Sequence, residues 1–147
     1  MFNYFFDADR DGHVATVALF EAIGRGEFEG YTSVVTLTEL NRAPEPKRTE
    51  MLALVERFGI KILGRDERVG VLSARYVAEG VIPAAYPDDS THIAIASVNG
   101  MDCVLSFNYK HINKLKTKTR TTEINAAFGF GAVVISTPME VLDNEKA

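Results

Sequence analysis

Pro87-Asp88-Asp89 sets two carboxylates side by side at the mouth of an apolar helical pattern; His92 lies three residues past Asp89, and Ser106-Phe107-Asn108 ends the next apolar run. Grouped oxygen donors of this kind suit a hard divalent cation, Mg²⁺ or Mn²⁺, and a cation held by carboxylates can activate water against a phosphate ester. Glu39, within Thr36-Leu37-Thr38-Glu39, is a third candidate. Each residue also has a purely structural explanation. Thr36 to Glu39 fits a capping box, in which the threonine caps a new helix and the glutamate reaches back to a free backbone donor. Asp88 suits a helix N-cap, and both aspartates gain from the positive end of the helix dipole. His92 suits a packed, hydrogen-bonded core position. Capping leaves unexplained why two acids are adjacent, with Asp89 on the face shared by His92 and Ala96. Asp89 is therefore the preferred metal ligand.

Positive charge follows at once. Lys110, Lys114, Lys116, Lys118 and Arg120 occur with no acid among them, and His111 adds charge at lower pH. By itself such a run reads as a solvated loop, but its closeness to Asn108 makes Lys110, His111 and Lys114 candidates for holding a polyanion. Asp7-Ala8-Asp9-Arg10-Asp11-Gly12 copies the first half of a calcium loop. The ninth and twelfth loop positions fall on Ala15 and Ala18, so oxygen ligands run out, and Asp11 is read as a helix cap.

The elements that must position these residues alternate between helix and strand patterns. Helical spacing is predicted over residues 13–24, 36–58 with a break at Pro44 and Pro46, 66–78, 89–98 and 123–128. Short apolar strands are predicted over residues 31–35, 60–63, 101–106 and 132–136, and Thr137-Pro138 opens a terminal turn. Such alternation implies a mainly parallel sheet covered by helices on both faces, an α/β sandwich. In open parallel sheets ligand sites form at the carboxyl ends of strands, where Glu39 and Asn108 would fall.

A chain of 147 residues that is 46% hydrophobic fits one globular domain. The net charge of −4 argues against a surface that grips nucleic acid everywhere. Cys103 is the single cysteine, which excludes an internal disulfide or cysteine cluster, and its apolar surroundings suggest a buried thiol. With no signal-peptide pattern and no apolar run of about 20 residues, the expected location is the cytoplasm.

At these residues the chain resembles a PIN domain, the ribonuclease fold of VapC-type toxins. The resemblance rests on Thr38-Glu39-Leu40, on Asp89 to Ala94 opening the long helix, on the stretch from Asn99 through Ser106-Phe107-Asn108 to His111, and on Val134 to Glu140 with its Thr137-Pro138 step. It spans nearly the whole length and implies a single PIN-like domain over residues 1–147. The implied fold is a three-layer α/β/α sandwich with a central, mainly parallel sheet. The implied activity is a Mg²⁺- or Mn²⁺-dependent endoribonuclease acting on RNA, often encoded with an antitoxin that blocks the site. Glu39, Asp89 and Asn108 carry over as the catalytic, metal-holding set, with Glu39 also orienting the attacking water. Asn108 stands where many members have aspartate, which lowers the site's charge by one.

Members also begin with a central strand ending in aspartate, and Met1-Phe2-Asn3-Tyr4-Phe5-Phe6 resembles the stretch just after it. The expectation is a reading frame started late, testable in the upstream DNA, and weak or no activity for the chain as given. Buried ladder groups do not stay unpaired. The gap is therefore expected to be filled by closure of the Tyr31 and Met101 strands on each other, by the aromatic N-terminal segment, or by a second subunit through strand exchange. The alternative to a nuclease is a catalytically degenerate PIN-like module that binds RNA or a protein partner. A nucleotide-binding α/β protein is disfavoured because no glycine-rich loop follows a strand.

Overall fold

The computed structural model describes residues 1–146, with side chains through residue 143. The chain divides into two compact units, Met1–Leu63 with the segment from Pro138 onward, and Gly64–Thr137.

In the first unit the aromatic N-terminus forms a short 3₁₀ helix, Phe2–Phe5. Phe2 and Phe5 each meet Phe20 with ring centroids 5.5 Å apart, in tilted and edge-on contacts that favour aromatic pairs. Phe20 arrives on helix α1 (His13–Gly24), and Leu40, Met51, Leu54 and Ile60 are buried in the same cluster. The aromatic segment is thus a helix within this core and not a strand filling a sheet. Helix α1 has the predicted limits, but Asp11 does not cap it: the N-cap is Gly12, at φ 92°, with no side-chain bond.

Strand β1 (Tyr31–Ser33) is shorter than predicted because helix α2 (Val34–Asn41) begins at once. Ser33 is its cap, with Oγ accepting from Thr36 N at 3.2 Å. The capping-box reading was therefore three residues late, and Thr36 and Glu39 both lie inside α2. Pro44 and Pro46 separate α2 from α3 (Lys47–Arg57) as predicted. Gly59, at φ 64°, ends α3: Ile60 N donates to Val55 O at 2.9 Å and Gly59 N to Glu56 O at 3.2 Å. Strand β2 (Lys61–Leu63) then pairs parallel with β1, Tyr31 opposite Lys61. Pro138 opens helix α7 (Pro138–Lys146), which packs on α1, where a terminal turn was predicted. Proline at a first helical position presets the backbone for helix.

Replacing Ser33 by alanine should cost about 1 kcal/mol in urea unfolding. Glu39→Gln, by contrast, should cost less than Ser33→Ala, since the Ser33 cap does not involve its carboxylate. Equal losses would reinstate the capping box.

In the second unit, Asp66 caps helix α4 (Glu67–Ala78), its Oδ1 accepting from Arg68 N at 2.9 Å. Helix α5 (Pro87–Val98) packs on α4 and buries Ser90, Thr91 and every residue from Ile93 to Ser97, so it is the unit's central element. Strand β3 (Cys103–Leu105), helix α6 (Leu115–Ala127) and strand β4 (Val134–Ser136) follow, with Cys103 opposite Val134 in a parallel pair. Cys103 is half-buried, less than its apolar neighbours suggested.

The fold is mixed α/β with parallel strands joined through helices, as the alternation predicted. Among the described residues the strands make two separate two-stranded ladders, β1 with β2 and β3 with β4. Closure of the Tyr31 and Met101 strands on each other, one of the three expected alternatives, is therefore not what the strands do. No described helix is long and apolar enough to cross a membrane.

Candidate functional site

Helix α5 starts two residues before its predicted limit. Tyr86 is the N-cap, without a side-chain cap bond, and Pro87 follows in the first turn. Asp88 is therefore not the cap. Both aspartates lie in the first turn, where the helix dipole favours negative charge. Asp88 is exposed, while Asp89 and, one turn on, His92 are half-buried.

After β3 the chain folds around Asn108. Its backbone N donates to Ser106 Oγ at 3.0 Å, and its carbonyl accepts from Ile112 N at 3.1 Å and Asn113 N at 2.7 Å. Its side-chain Oδ1 accepts from His111 N at 3.0 Å. A backbone N–H can only donate, so this bond fixes which end of the amide is oxygen. The Nδ2 is left to donate to Asp89 Oδ2, at 3.4 Å. Asp89 and Asn108 are brought together as the sequence predicted, but Asn108 offers the carboxylate a donor where a metal-ligand oxygen was expected.

Glu39 belongs to the first unit, exposed in the last turn of α2. Its carboxylate acts on the Met1 amino group, whose pKa is lowered from 8.0 first by burial and then by Arg10, with Glu39 opposing. Among the described residues no three His, Cys, Asp or Glu side chains group as a metal cluster. The donor chemistry still fits one hard cation at Asp89. Mg²⁺ keeps several waters and is commonly held by one or two carboxylates together with substrate phosphate. Asn108 fits as the group that orients that carboxylate.

The basic residues do not form the loop expected. Lys114 is the N-cap of α6, and Lys116, Lys118 and Arg120 lie on that helix. Arg120 pairs with Glu79 at 3.1 Å and with Glu123 at 3.6 Å, so its charge is engaged within the fold. Lys110 is exposed and Lys114 half-buried. His111 is buried, its ring against Tyr86 with centroids 4.2 Å apart. Tyr86 escaped the sequence reading; its signal was an aromatic residue immediately before Pro87-Asp88-Asp89. A groove of about 470 Å³ on the second unit is lined by Arg65, Ser73, Ala74, Pro87 and Thr91 among others, and by none of the predicted site residues.

No protein-family model, curated protein or solved structure matches the chain.

Proposed function

We propose that the chain is a PIN-like endoribonuclease, dependent on Mg²⁺ or Mn²⁺, that hydrolyses RNA phosphodiester bonds in the cytoplasm. One observation carries this: Asp89 and Asn108, 19 residues apart, meet through a hydrogen bond. The parallel pairing within each ladder, with helices between the strands, supports the α/β class that this reading needs. Asp89 holds the cation. Asn108 Nδ2 fixes the carboxylate's orientation, and exposed Lys110 attracts the phosphate backbone. When bound, the cation supplies Lewis acidity for water and for the charge building on phosphate. Glu39 lies in the other unit, and its water-orienting role rests on the resemblance alone.

A second reading, a degenerate PIN-like module that binds RNA without cutting it, is favoured by the fixed amide of Asn108, which donates at the position where a ligand oxygen is needed. Titrating Mn²⁺ against single-stranded RNA separates the two. The nuclease should cut in Mn²⁺ and stop when a chelator is added. RNA retention that ignores the chelator, with no cleavage at any Mn²⁺ concentration, would establish the binding module instead.

A further inference from the structure

Tyr86, Asp89, Asn108 and His111 form a closed circuit of contacts. Asp89 N donates to Tyr86 O at 3.2 Å, Asn108 Nδ2 to Asp89 Oδ2 at 3.4 Å, and His111 N to Asn108 Oδ1 at 3.0 Å. The His111 ring then closes the circuit on Tyr86, with centroids 4.2 Å apart and planes inclined at 32°. An aromatic ring is thereby held at a fixed position beside the carboxylate.

Starting the helix does not account for Tyr86. N-caps favour serine, threonine, aspartate and asparagine, and Tyr86 makes no cap bond. Nor does burial account for it, since Tyr86 is 45% exposed while His111 beneath it is 8% exposed. Among the described residues the buried His111 Nδ1 has no hydrogen-bond partner, so the ring acts as a backing wall and not as a donor at that atom. A tyrosine supported on one face and open to solvent is a stacking surface. Next to it lie a carboxylate suited to a cation and, one residue before His111, the exposed Lys110.

We infer that Tyr86, backed by His111, is a platform on which one unpaired nucleobase of single-stranded RNA stacks, beside the phosphate drawn to Lys110 and Asp89's cation. The inference rests on the RNA-directed reading above and narrows its substrate class. Bases within a duplex are stacked on both faces and present none to Tyr86, whereas bases in single strands, loops and bulges do.

A short single-stranded RNA carrying 2-aminopurine, titrated with the protein in EDTA, reads stacking as fluorescence quenching without any cleavage. Wild type should bind and quench. Tyr86→Ser should weaken binding about tenfold, the order expected for one lost stacked base. Serine is the better helix cap, but the change also uncovers His111, so a melting temperature equal to that of wild type is required before the lost binding is read as lost stacking. Tyr86→Phe should bind as wild type does. Unchanged binding and quenching by Tyr86→Ser, equal loss in Tyr86→Phe, duplex probe bound as tightly as single strand, or no binding by wild type would each overturn the platform. Parallel Mn²⁺ assays keep the two proposals apart. Quenching without cleavage defeats the nuclease and leaves the platform standing; cleavage whose KM ignores Tyr86→Ser does the reverse.

Discussion

Tyr76→Ala should lower stability by about 3–5 kcal/mol, the cost of emptying a buried aromatic site, and Tyr76→Phe by about 1–3 kcal/mol. Tyr76 is 0% exposed on α4, and its hydroxyl donates to Asn125 Oδ1 on α6 and lies 3.3 Å from Ser97 Oγ on α5. Removing that hydroxyl alone strips Asn125 Oδ1 of its donor in a fully buried position. Ser97 suffers less, because its Oγ also donates to Ile93 O at 2.8 Å and accepts from Asn125 Nδ2 at 2.9 Å. Alkali gives a second readout. Burial pushes the Tyr76 pKa up from 10.0 to about 12, against the pull of Ser97 and Asn125. The neutral phenol is thus favoured in the fold, and the stability linked to it is complete below pH 10 and lost as pH rises through 12. Denaturant unfolding between those limits should fall less steeply with pH for Tyr76→Phe than for wild type. Parallel slopes would show that the phenol stays ionisable in the fold.

Asn125 also shows where the sequence was hard to read. Helix α6 was predicted only from residue 123, because its earlier turns carry threonine and lysine where the apolar period looks for leucine and valine. The buried stripe is nonetheless helical: Thr117, Thr121, Ile124 and Asn125 all face inward. Thr117 Oγ1 donates to His111 O at 2.8 Å, so the helix seats itself by hydrogen bonding as well as by apolar burial. Helix α1 and the proline break before α3 were legible, since an apolar stripe and a missing backbone donor act within a few residues. The caps were less so. Ser33 and Thr36 are equally good capping residues in isolation, and the strand pairing that ends at Ser33 decided between them. At the site, the α/β reading and the resemblance placed Glu39, Asp89 and Asn108 together, and the hydrogen bond joins the last two. Which end of the amide faces the carboxylate depended on the His111 backbone donor, which no residue type reveals.

That orientation makes position 108 the sharpest test of the metal proposal. Asp89→Asn should remove Mn²⁺-dependent RNA cleavage by more than the 10- to 100-fold loss typical of a residue that only orients a ligand. The variant should still fold, because the new amide oxygen can accept from Asn108 Nδ2, and the charge lost at the helix N-terminus is a matter of about 0.3–1 kcal/mol. Asn108→Asp acts in the opposite direction. One oxygen keeps the bond from His111 N, while the other meets the Asp89 carboxylate across the distance that Nδ2 now spans, 3.4 Å. Two carboxylates at that separation repel, and a divalent cation between them offsets the repulsion. Thermal melting should therefore find Asn108→Asp less stable than wild type in chelator and raised by Mn²⁺ more than wild type is, since a ligand stabilises the state that binds it. Cleavage should rise with that metal-induced gain. If Asn108→Asp melts at the same temperature with Mn²⁺ as with chelator, Asp89 does not hold a cation, and the hydrogen bond between these residues serves only to tie the turn after β3 to the start of α5.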